Sequence, residues 1–167
     1  TQNSGDDAYA AARITGAFYN TQAAPTGVTG DVFAFISIEN DGGGLMAKWG
    51  VVEFTSDDRS TVTGLAGADL TNEGDLSYDT TYIIELEYDL PSSQFRFALY
   101  NNTGTLINSG QYTFANRQSD AFEPFVSLGS TASDDVAFIE TDFDNVQIKS
   151  NPAAAYALYD DFSTFTK

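Results

Sequence analysis

YIIELEYDLPSSQFRFALY, residues 82–100, sets the fold class. In its first half Tyr82, Ile84, Leu86 and Tyr88 fall on one face, and Glu85, Glu87 and Asp89 on the other. In its second half Phe95, Phe97 and Leu99 alternate with Gln94, Arg96 and Tyr100. A period of two is the signature of a half-buried strand, because successive side chains point to opposite faces of the pleat. Pro91-Ser92-Ser93 between the runs reads as a turn, so the two strands form a hairpin with Arg96 across from Glu87 or Asp89.

The same grammar extends outward. Downstream, Asn101-Asn102-Thr103-Gly104 is a strong turn leading to short strands near Leu106 and over Gln111 to Phe114. Phe122 to Leu128 and Val136 to Lys149 complete the set. Upstream, Leu45 to Phe54 follows a Gly42-Gly43-Gly44 turn, and Tyr9 to Tyr19 reads as a strand. Asp31 to Glu39 (DVFAFISIE) is apolar on both faces, as a central sandwich strand is. Thr55 to Thr81 is rich in Asp, Thr and Gly and carries no clear pattern, and Pro152 to Ala157 is the one helix-like piece. Short strands spaced by turn signals predict an all-β, two-sheet antiparallel β-sandwich. Residues 1–152 form its core, and 153–167 a C-terminal strand.

Composition narrows the function. Of 167 residues, 42% are hydrophobic and 14% aromatic, enough apolar surface for one sizeable core. Seven Lys+Arg against 24 Asp+Glu give a formal charge of −17. That surface repels phosphate backbones and anionic membranes, so neither nucleic acid nor a membrane is an expected partner. No apolar run approaches the roughly 18 residues a membrane-spanning helix needs. Such acidity suits a saline, extracellular setting, and its many carboxylates suit calcium. Cysteine is absent, which removes disulfides and thiol chemistry and points to a secreted bacterial protein. Histidine is absent too, which removes Ser-His-Asp and Cys-His catalysis and His-based zinc sites. Thr1-Gln2-Asn3-Ser4 is read as a mature terminus.

The candidate ligand-binding residues follow from what a sugar requires: a flat aromatic face and planar polar groups for paired hydroxyls. Trp49 is the single tryptophan, with Lys48 pointing the other way. Arg96 and Tyr100 share the polar face of their strand, with Glu85 and Glu87 on the facing strand. Two plainer readings stand beside these: core packing for Trp49, and a cross-strand ion pair for Arg96. Asp pairs at Asp6-Asp7, Asp57-Asp58, Asp134-Asp135 and Asp160-Asp161 are either calcium ligands or solvated charge.

Two fragments carry a resemblance. Phe143-Asp144-Asn145-Val146-Gln147-Ile148 resembles the closing strand of concanavalin A-like (laminin-G-like) jelly rolls, and Leu158-Tyr159-Asp160-Asp161-Phe162-Ser163 the opening strand of the same superfamily in secreted bacterial proteins. Arg13 to Tyr19, followed by a strand beginning at Gly30, is similar to an early strand of such domains. The resemblance implies a jelly roll whose first and last strands are neighbours, and a structural Ca2+ near them with Asp144, Asp160 and Asp161 as ligands. It also implies a carbohydrate-binding or adhesive module, the commoner use of the fold.

The order of the fragments is inverted here, because the opening-like segment follows the closing-like one. That segment therefore pairs in cis in a circularly permuted chain, or opens a following repeat, or is donated to a neighbouring copy through Leu158, Tyr159, Phe162 and Phe165. Donation would make the chain an extracellular filament subunit, whose partners are copies of itself rather than polysaccharide. Glu140, Asp142 and Asp144 resemble the Glu-x-Asp-x-Glu signature of laminarinase-like glycoside hydrolases, which share the fold. The last carboxylate is Asp where that family has Glu, and Thr141 stands where it has an aliphatic residue. A shortened side chain misplaces an acid/base by about 1 Å, so no enzyme is expected.

Overall fold

A computed structural model describes residues 10–40 and 42–132, with side chains for 10–40 and 42–129, and the backbone of four short strands outside that span. In chain order the first strands are β1 (Gln2–Asn3), β2 (Ala10–Asn20), β3 (Asp31–Asn40), β4 (Leu45–Phe54), β5 (Val62–Asp69) and β6 (Tyr82–Asp89). They continue as β7 (Gln94–Asn101), β8 (Leu106–Thr113), β9 (Ser119–Ala132), β10 (Ala137–Phe138), β11 (Val146–Ile148) and β12 (Ala157–Asp160). One sheet has five strands in the order β5-β4-β3-β2-β9, and the other has three, β6-β7-β8. Every neighbouring pair is antiparallel. The chain is a two-sheet β-sandwich, and no described segment is a helix long and apolar enough to cross a membrane.

The sheets meet through the alternation already visible in sequence. Phe95, Phe97 and Leu99 of β7 are buried against Val32, Ala34 and Ile36 of β3 and Ala47, Trp49 and Val51 of β4. Burying each such side chain contributes about 1.5–3 kcal/mol. Tyr82, Ile84, Leu86 and Tyr88 of β6 pack on the same core. β3 and β4 are buried on both faces, which explains why DVFAFISIE shows no clean polar alternation.

Local irregularities shape this core. A bulge in β2 leaves Phe18 without a partner on β3, since Ala17 pairs with Phe33 and Tyr19 with Val32. An extra residue breaks the alternation. Phe18 and Tyr19 therefore both join an aromatic cluster, with Phe18 5.0 Å from Tyr88 and Tyr19 4.8 Å from Phe114 between ring centroids. At the start of β3 the Asp31 carboxylate, 1% exposed, accepts from the Asn20 amide at 2.7 Å and the Phe122 backbone N–H at 2.7 Å. It thus ties β2, β3 and β9 together.

Three sequence expectations need revision. The patternless 55–81 segment contains β5, an edge strand. Its Gly64, Ala66, Gly67 and Ala68 and its exposure hide the alternation. The two short strands expected at Leu106 and Gln111 to Phe114 are one strand, β8, bulged at Ile107. Of the strand expected over Val136 to Lys149, only β10 and β11 are described, and residues 152–156 of the helix-like piece lie outside the described residues, with Ala157 opening β12.

Candidate ligand-binding face

The outer face of the three-stranded sheet is built by register. In the β6–β7 hairpin, Glu85 is opposite Ala98, Glu87 opposite Arg96 and Asp89 opposite Gln94. In the β7–β8 hairpin, Arg96 is opposite Gln111, Ala98 opposite Ser109 and, past the bulge, Tyr100 opposite Leu106. The two small side chains, Ala98 and Ser109, lie side by side mid-sheet, and longer ones surround them. The result is an open depression of about 400 Å³ whose lining includes Glu85, Glu87, Arg96, Tyr100, Leu106 and Gln111. Four residues singled out from sequence, Glu85, Glu87, Arg96 and Tyr100, thus share one site.

The charged groups are held in place. Arg96 Nη1 donates to Glu87 Oε2 at 3.1 Å, and Nη2 lies 2.9 Å from Asp89 Oδ2. Nη2 is also within reach of Ser92 Oγ at 3.1 Å and Gln94 Oε1 at 3.0 Å. Ser92 is placed by the turn after β6, where Ser93 adopts a left-handed φ of 55° and its N–H donates to Leu90 O at 3.1 Å. The Ser92 hydroxyl and the Arg96 guanidinium hold the Asp89 carboxyl below the usual carboxylate range. The carboxylates of Glu87 and then Asp89 raise the Arg96 guanidinium further, so its charge is permanent. On the opposite flank, Tyr100 Oη donates to Glu85 Oε2 at 3.0 Å, which fixes the ring at the edge of the depression. The cross-strand ion pair expected for Arg96 is therefore present, in a four-acceptor cage.

Trp49 requires a correction. It is 9% exposed and packs between the sheets, stacked on Phe97 at 4.6 Å between centroids. It lies on the core side of the small sheet, directly behind Gly110, so it offers no face to a ligand in the depression. The physical reason is its place in the apolar series Leu45, Ala47, Trp49, Val51 along β4. Lys48 points to the other face and pairs with Glu39 at 2.7 Å.

The remaining candidates are placed as follows. Asp144, Asp161, Phe162 and Phe165 lie outside the described residues, as do Glu140 and Asp142. The backbones of Leu158, Tyr159 and Asp160 belong to β12, which pairs antiparallel with β11 of the same chain, Leu158 opposite Gln147 and Asp160 opposite Val146. The opening-like and closing-like segments are thus neighbours within one chain. Asp57 and Asp58 serve loops. Asp57 Oδ1 accepts from the Thr29 hydroxyl at 2.6 Å and N–H at 2.8 Å, and Asp58 Oδ1 accepts from the Ser56 hydroxyl at 2.6 Å and the Ser60 hydroxyl at 2.7 Å. Among the described residues no group of three or more acidic side chains is arranged to hold a metal ion.

Gln111, the Ala98–Ser109 floor and the anchoring Ser92 were not foreseen from sequence. The Asn101-to-Gly104 turn carries the signal for the first two, since it sets the β7–β8 register, but Ile107 adds a residue that counting from the turn does not anticipate. Comparison with protein-family models, with curated proteins and with solved structures finds no match to this chain.

Proposed function

We propose that the chain is a non-catalytic extracellular module that binds polysaccharide on the outer face of its three-stranded sheet. The observation that carries this reading is the depression itself. It combines a small-residue floor at Ala98 and Ser109, an aromatic wall at Tyr100, and planar polar groups at Arg96, Glu85, Glu87 and Gln111. A pyranose ring has apolar C–H faces and an equatorial belt of hydroxyls, and such a site offers a partner for each. The cage around Arg96 and the Tyr100–Glu85 bond pre-organise these groups, which lowers the entropy lost on binding. The extracellular setting is supported by composition, acidic and free of cysteine. Polysaccharide binding is put forward ahead of strand donation because the described residues offer it a formed depression.

The test is a panel of soluble polysaccharides in affinity gel electrophoresis, with reducing-end release measured in parallel. At least one polymer should retard the protein with no sugar released. Tyr100→Ala and Ser109→Trp, the second filling the floor, should each abolish the retardation. Retardation that survives both substitutions in folded protein, or none with any polymer, would refute the site.

A further inference from the structure

The way Arg96 is held says which polysaccharides the depression accepts. A guanidinium on a binding face is ordinarily the natural receptor for a uronate or sulfate, because its planar fork matches two oxygens at once. Here that fork is already spent. Nη1 faces Glu87, and Nη2 faces Asp89, Ser92 and Gln94, all within 3.1 Å. An incoming carboxylate would have to displace these partners and then sit beside Glu85, Glu87 and Asp89, three carboxylates against one guanidinium. Like charges brought together at an interface are strongly unfavourable. The screening length is about 8 Å at 0.15 M salt and longer at lower salt, so these neighbours act on a bound sugar, most strongly at low salt, and the formal −17 of the chain adds in the same direction. Uncharged hydroxyls meet no such barrier. Ser109 and Gln111 in the lining are neutral donors and acceptors suited to them.

We infer that the depression selects uncharged polysaccharide over polysaccharide bearing carboxylate or sulfate groups, and that Glu87 and Asp89 set this selection by occupying Arg96. The inference rests on the polysaccharide reading above and adds the substrate class and two specificity-determining residues.

The experiment measures binding of the full chain to a neutral β-glucan and to polygalacturonate, at 0.05 and 0.15 M salt, by titration calorimetry. The wild type should bind the glucan at least about tenfold more tightly than the uronate polymer, a preference of the size that ~1.4 kcal/mol of electrostatic penalty produces. In a Glu87→Gln, Asp89→Asn double variant the guanidinium is released and two charges are removed. The ratio of uronate to glucan affinity should rise about tenfold or more at 0.05 M salt, shrink at 0.15 M, and collapse again when Arg96→Ala is added. Circular dichroism confirms folding. Glu87→Gln alone, which leaves Asp89 and Ser92 on Arg96, serves with a smaller expected rise if the double variant does not fold. A wild type that binds polygalacturonate as tightly as glucan overturns the selection and leaves the polysaccharide reading standing. A folded variant with an unchanged ratio does the same. A wild type that binds neither these two polymers nor any member of the panel overturns both.

Discussion

Gly110→Ala is the sharpest test of how the two sheets meet. A β-carbon at position 110 would stand 2.3 Å from Trp49 Nε1 and 2.6 Å from Cε2. Real β-carbons do not approach so closely, so the ring or the strand must move. The indole cannot easily retreat, since it stacks on Phe97 at 4.6 Å, and Phe97 is 1% exposed. Overpacking of this kind costs about 1–3 kcal/mol. For a chain of this size that is a fall in melting temperature of about 3–10 °C. Gly64→Ala is the control: nothing lies within 4 Å of its added β-carbon, and its φ is not left-handed. Relief of backbone entropy there should leave stability unchanged or raise it by about 0.5 kcal/mol. Urea unfolding followed by tryptophan fluorescence reads both variants, because Trp49 is the only tryptophan. Gly110→Ala should lower the midpoint and shift the native emission to the red as the indole gains water. A Gly110→Ala protein as stable as Gly64→Ala would refute the packing of Trp49 behind β8.

Three further outcomes are expected. Asp31→Ala strands the buried Asn20 amide and the Phe122 N–H, and should cost about 3 kcal/mol in urea unfolding, against a smaller loss for surface Asp120→Ala. Burial pushes the Tyr19 and Tyr88 phenols above their ordinary value, so the folded state favours their neutral form. That contribution is complete below pH 10 and is lost as pH rises beyond it, so the last phenols to ionise at 295 nm should do so together with the loss of circular dichroism, above pH 10. Hydroxyls of Ser56 and Ser60 hold the Asp58 carboxyl down at about 2, and the Thr29 hydroxyl and N–H lower Asp57. Their contribution is present above about pH 4 and fades as pH falls toward 2, so Asp58→Asn should flatten the acid limb of a stability–pH curve between those values.

What was legible in the sequence is what a strand's own geometry fixes. Side chains at i and i+2 share a face whatever the rest of the chain does, so YIIELEYD and QFRFALY declared their strands, their hairpin and their polar face directly. Four residues of the depression followed from that alone, as did an ion pair of Arg96 with Glu87 or Asp89, of which the structure forms both. The all-β class followed as well, because period-two runs recur along the chain between turn residues.

Tertiary structure decided the rest, because those outcomes depend on which surfaces meet. Alternation put Trp49 on one face of β4, and only the small sheet lying over that face made it core rather than binding surface. The bulge at Ile107 shifted the β8 register and so brought Leu106 opposite Tyr100, a choice made by cross-strand pairing and invisible to local pattern. The pairing of Ala157–Asp160 with Val146–Ile148 is likewise long-range and is not contained in either segment's local pattern. The sequence by itself determined the strands and the chemistry on their faces. Which faces were buried, and how Ala98, Ser109 and their longer neighbours came to frame the depression between Arg96 and Tyr100, was determined by strand pairing and by how the two sheets stack, properties no individual strand contains.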